Sequence, residues 1–171
     1  MKKIYLLLAL LIMVPVLSMG QVAKYKAVFT TSFIRYIGWP DEVREGDFVI
    51  GVVGAGNIAS RIEKQSEGKK FGFQEVIVEE YNSVDDIDRD CQVVYVSERV
   101  NFSRNADAIF QKVGDKTLVV TESNGATDHG AMINFVIRDE TLKFEIHKGN
   151  ASENGLQISS RLENMNSAIV L

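Results

Sequence analysis

The chain has 171 residues, 46% of them hydrophobic, with 19 basic and 23 acidic side chains and a formal net charge of −4. That length and apolar content specify one domain with a sizeable core. The acidic balance, with no basic run longer than a pair, argues against nucleic acid and anionic membrane surfaces as partners. Cys91 is the single cysteine, which excludes an internal disulfide and leaves the core to hold the fold alone.

Residues 1–20 read as an export leader rather than part of the domain. Lys2 and Lys3 give it a positive start, and Ile4 to Val16 is an almost unbroken apolar run, short for a bilayer span. Ser18 and Gly20 supply the small residues that a signal peptidase reads, so cleavage is expected between Gly20 and Gln21. The domain is then residues 21–171.

Val22, Tyr25, Phe29, Phe33, Tyr36 and Ile37 recur at three- and four-residue spacing, which predicts a helix over 22–37, stopped by Gly38-Trp39-Pro40. Phe48 to Val53 is a buried strand, rich in β-branched residues. Asn57 to Lys64 is a helix with Asn57 as its cap. Gln74 to Glu80 and Cys91 to Val96 are strands, and Cys91 at the head of its run reads as a small buried hydrophobe. Ala106 to Val113 is a helix closed by Gly114, and Thr117 to Thr121 is the next strand.

A loop of small and polar residues, 123–130, precedes a hairpin in which Leu142, Phe144 and Ile146 alternate with Lys143, Glu145 and His147, one face buried and one wet. Ser160 with Glu163 predicts a capping box opening a last helix, with Leu162 and Ile169 toward the core. Strands alternating with helices and a terminal hairpin predict a single α/β domain. The architecture is a three-layer sandwich with a mostly parallel central sheet and an antiparallel C-terminal hairpin.

Few residues carry chemistry. Gly54-Ala55-Gly56-Asn57-Ile58-Ala59 matches G-x-G-x-x-A between a strand and a helix, with Glu79 or Glu80 near the end of the next strand where a ribose-binding acid stands. Glycines there let a backbone approach a pyrophosphate at a helix N-terminus; a tight strand-to-helix turn explains them as well. His129 and His147 lack the convergent partners of a zinc site. Val84 to Asp90 is acidic without the glycine and closing glutamate of a calcium loop. No serine stands on a nucleophile elbow. No catalytic set, metal or cofactor is therefore expected. Phe29, Phe33, Tyr36 and Trp39 either pack on the sheet or present an aromatic interface.

Several blocks together resemble the YfiR family of small exported bacterial regulators, HmsC-like proteins included. They are Tyr25 to Phe29, Phe33 to Pro40, Phe48 to Gly54, Asp90 to Val96 and Thr117 to Thr121. Gly130 to Phe135, Leu142 to Ile146 and Gly155-Leu156-Gln157-Ile158-Ser159-Ser160-Arg161-Leu162 complete the set. The resemblance implies an α/β sandwich in the periplasm, non-enzymatic and often a homodimer. The best-understood members hold a membrane-bound diguanylate cyclase inactive through its periplasmic domain and restrain biofilm formation. Related domains accompany sensor histidine kinases. Some members carry two disulfides, whereas here only Cys91 matches a family cysteine, so redox control by an internal disulfide does not transfer. As partner-binding residues the C-terminal polar surface offers Glu145, His147, Asn150, Arg161 and Asn164. The competing reading is a small ligand or nucleotide held by Gly54, Gly56 and Glu79.

Overall fold

The fold is described from a computed structural model covering residues 19–54 and 56–171. The first 18 residues of the expected leader lie outside the described residues. Helix α1 (Met19–Phe33) runs into a 3-10 turn (Ile34–Tyr36) and a two-residue strand, β1 (Ile37–Gly38). The helix therefore stops four residues short of its expected end. Trp39, 3% exposed, folds its indole back and donates from Nε1 to the Ile34 carbonyl at 2.9 Å. That bond satisfies a last-turn acceptor that a longer helix would have used.

β2 (Phe48–Val53), α2 (Ile58–Ser66), β3 (Lys70–Phe71), β4 (Gln74–Tyr81) and β5 (Val93–Val96) come next. They are followed by α3 (Phe102–Val113), β6 (Leu118–Thr121), β7 (Ile133–Arg138) and β8 (Thr141–Ile146). The chain closes with α4 (Lys148–Glu153), β9 (Gln157–Ile158), α5 (Ser160–Glu163) and β10 (Ala168–Val170). α3 starts four residues before its expected start because Asn101 caps it, accepting from the Arg104 amide at 3.2 Å.

Eight strands form one sheet in the order β10-β8-β7-β6-β5-β2-β4-β3, and β1 pairs with β9 in a separate ribbon. β4, β2, β5, β6 and β7 are mutually parallel, β10 is parallel to β8, and the β3–β4 and β7–β8 hairpins are antiparallel. β2 and β5 are buried at every position, as strands covered on both faces must be. The crossover through α2 runs from β2 outward to β4, and the one through α3 runs from β5 the other way to β6. Right-handed crossovers in opposite directions place α2 and α3 on opposite faces, so the sandwich has three layers.

On the α1 face, Phe29 and Phe33 meet Phe135 and Phe144 with ring centroids 5.0–6.3 Å apart, and Tyr95 joins through Phe135. Trp39 stands edge-on to Phe48, and Phe48 to Phe71. All four aromatics left open by the sequence, Tyr36 included, pack against the core. Tyr25, 51% exposed, is the one aromatic of α1 that faces water.

The C-terminus departs most from expectation. The cap of α5 is Ser159, not Ser160, and no side chain caps it. Glu163 is drawn to Lys148 at 3.0 Å and does not reach back to its own helix start. The helix is one turn long, and Ile169 lies in β10 opposite Glu145 rather than on a helix. Leu162 is fully buried, as expected.

Candidate functional site

The two crossovers diverge between β2 and β5, and the C-terminal ends of those strands open into a cleft of about 520 Å³. In open α/β sheets this switch point is where ligands bind. Its floor is Tyr95, its sides the start of α1, the start of α2 and the Ser97-Glu98-Arg99 loop after β5. Lys26 of α1 and Glu122 after β6 form an ion pair at its edge, with side chains 17% and 11% exposed. Glu122 also accepts from the Glu98 amide at 3.1 Å. The Tyr95 hydroxyl is buried beside Glu122 without closing a hydrogen bond to it. Burial first, and the Glu122 charge second, hold that phenol well above its usual range.

The glycine turn serves two purposes there. Gly54 has φ +67°, and a Cβ on it would fall 2.4 Å from Val100 Cγ2. The Ser97 hydroxyl donates to its carbonyl at 2.5 Å, locking the turn to the loop after β5. Gly54 is thus a packing requirement. Gly56 differs: a Cβ there would meet only the Arg99 guanidinium, at 3.5 Å, in the open cleft. Asn57 makes no side-chain cap to α2, so its first-turn amides face the cleft uncapped by that residue. Glu79 is not part of this arrangement. It pairs in register with Gly51, on the opposite face from α1, and binds Arg89 at 3.4 Å. The sequence placed it by distance along the chain, and strand alternation turns it away.

The C-terminal residues are brought near one another but are largely occupied. Glu145 accepts from Asn134 Nδ2 at 2.9 Å and Arg138 at 3.1 Å. Asn134 beneath it is 1% exposed, so the face read as wet covers a buried polar group. His147 lies past the end of β8 and accepts the Asn150 amide on Nδ1 at 3.0 Å, capping α4. Asn150 donates to the Thr127 and Ala131 carbonyls, each at 2.8 Å, and so pins the small-residue loop to α4. Arg161 and Asn164 alone of the five are exposed.

The model of the YfiR/HmsC-like family matches residues 23–165. The chain belongs to the YfiR/HmsC-like family. No curated protein matches it. Among the described residues no helix is long and apolar enough to cross a membrane.

In this YfiR/HmsC-like domain Cys91 is 3% exposed and wedged against Gly51, where a Cβ would approach its sulfur to 2.8 Å. Burial pushes the thiol up to about 11, opposed by the Tyr81 hydroxyl and Arg89. A neutral, enclosed thiol neither attacks a disulfide nor reaches another chain. Cys91 is core.

Proposed function

We propose that the chain is an exported regulator that docks on the extracytoplasmic domain of a membrane-bound diguanylate cyclase and holds it inactive. The supporting observation is the family match, which spans essentially the whole domain. The protein acts in the periplasm as a homodimer, by contact and not by turnover, and a sensor histidine kinase is the other partner class. Activation is a shift of population: a signal favours the unbound form, and the freed enzyme starts work. Of the proposed contact residues, Arg161 and Asn164 meet the partner directly. Glu145, His147 and Asn150 are already engaged within the chain through the bonds described above and contribute less.

Co-expression in the periplasm with tagged membrane cyclases and kinases of the same genome tests this. One of them should be retained, and Arg161→Glu should weaken its capture while leaving the domain folded. Equal capture by wild type and variant would remove α5 from the interface.

A second reading has its own observation, the buried Tyr95 hydroxyl on the floor of the cleft, which has no hydrogen-bond partner among the described residues. In it a small ligand with an oxyanion group, nucleotides among them, sits against the start of α2 and Arg99. Calorimetry with nucleotides checks it. Saturable heat lost in Gly56→Val would support it, and no heat would end it.

A further inference from the structure

A second groove lies at the far edge of the sheet, between the C-terminal ends of α1 and α2 and strand β3. Arg35, Lys69 and Lys70 line it, together with Thr31 and Ser32, and among the described residues no carboxylate does. Lys70 is matched by Glu75 across the hairpin at 3.1 Å. Among the described residues Arg35 and Lys69 have no ion pair, and both are exposed. Two unpaired cations in one groove, on a chain with 23 acidic and 19 basic side chains, run against its overall charge.

The hairpin beside the groove carries an unusual tip. Phe71 pairs with Gln74, so Gly72 and Phe73 are the whole turn, and Gly72 at φ +60° opens it in the form that matches hairpin twist. Phe71 packs inward on Phe48, which fixes the hairpin to the core. Phe73 is 101% exposed, a large apolar ring held in water on a braced turn. It adds nothing to the core, and its removal from water on binding would be favourable. Aromatic and arginine anchors are what protein interfaces concentrate.

A backbone bond ties the segment that follows α1 to the start of α5. The Ser159 amide donates to the Tyr36 carbonyl at 2.9 Å, which sets Arg35 and Arg161 on either side of that bond in their two chain segments. Arg161 likewise has no ion pair among the described residues.

We propose that this corner is a docking site for an acidic segment of a partner protein. Carboxylates of the partner enter the groove against Arg35, Lys69 and Lys70, and Phe73 anchors in an apolar pocket on the partner. Charge complementarity selects the occupant: Arg35 and Lys69 stand unpaired beside Lys70 in a groove to which no carboxylate of the described residues contributes. A lipid surface fits less well, because recognition of anionic headgroups uses clusters of about four to eight basic residues. The identity of the partner rests on the regulator reading above; the chemistry of the surface does not.

The experiment uses the exported protein purified from the periplasm, with Phe73→Ser, Lys69→Glu and a control on another surface, Arg104→Glu. The first probe is the purified extracytoplasmic domain of whichever membrane enzyme the chain retains. Phe73→Ser and Lys69→Glu should each weaken binding about tenfold, with Arg104→Glu unchanged. Equal affinities would overturn the docking site while leaving the regulator reading intact. Where no membrane enzyme is retained, the regulator reading fails, and a hexaglutamate peptide tests the groove by itself. Amide shifts confined to residues 31–36 and 66–76 would support the site, and shifts elsewhere or none would overturn it. Sedimentation with phosphatidylglycerol vesicles that Phe73→Ser abolishes would also overturn it, in favour of lipid.

Discussion

Two polar regions of this domain differ in what their polar groups are doing. From Asn134 to Asn150 the side chains satisfy one another: Asn134 with Glu145, Glu145 with Arg138, Asn150 with two loop carbonyls. At the β3–β4 corner, Arg35 and Lys69 have no ion pair among the described residues, and Phe73 is fully exposed. A polar residue on a surface strand is therefore weak grounds for an interface until its partners are counted. Buried polar pairs stabilise the monomer when intact and are costly when broken. Free charges and an exposed ring contribute little to the monomer and are available to something else.

Breaking the first region should cost stability. Asn150→Ala removes both donors from the Thr127 and Ala131 carbonyls and should lower unfolding free energy by about 3 kcal/mol in urea titrations. Loss under half a kilocalorie would show that water replaces the clamp.

The sheet behind the hairpin supplies a pH test. Cys91 titrates near 11 in the fold, against about 9 when free, and Tyr81 shifts upward too, chiefly through burial. Above pH of about 9 the unfolded chain releases the thiol proton and the folded chain keeps it, so the unfolded state binds fewer protons and stability falls as pH rises. The decline should amount to about 2 kcal/mol for Cys91 by pH of about 11 and be shallower in Cys91→Ala. Parallel slopes for the two proteins would remove the thiol as its cause.

Glu145→Ala takes the acceptor from the buried Asn134 Nδ2 and should cost about 1–2 kcal/mol; the double variant with Asn134→Val should recover part of it. At the β7–β8 turn, Asp139 and Glu140 both sit at positive φ (49° and 57°). Two central residues in that region suit Asn-Gly far better. Replacing Asp139-Glu140 with Asn-Gly should raise stability by about 1 kcal/mol, read as a higher thermal midpoint. The smallest effect is expected at the corner. Phe73→Ser should change stability by less than about 0.5 kcal/mol, and a larger loss would mean the ring supports the fold after all.

How much was legible follows from how local each signal is. β2 was read to the residue because five apolar side chains, broken only by Gly51, fill its six positions. The start of α3 was missed because its signal is the Asn101 side chain bonding an amide, not an apolar period. β10 is three residues long, and its pairing with β8 is set by contacts far apart in sequence, which no window contains. Glu145 looked wet because alternation gives its face but not what lies under it. The groove was invisible for a similar reason: Arg35 and Lys69 come from two segments that only the packing of α1 against the sheet brings together.

The sequence by itself determined the α/β class, the burial of β2 and β5, and membership of a family. Each of these is written in periods of two or three to four residues and in local turn chemistry. Tertiary structure alone decided that Gly54 is a packing glycine, that Glu79 faces away from the cleft, that Asn150 is a clamp and that Phe73 stands clear in solvent. Those outcomes depend on which segments meet across the sheet, and distance in space is not encoded in spacing along the chain.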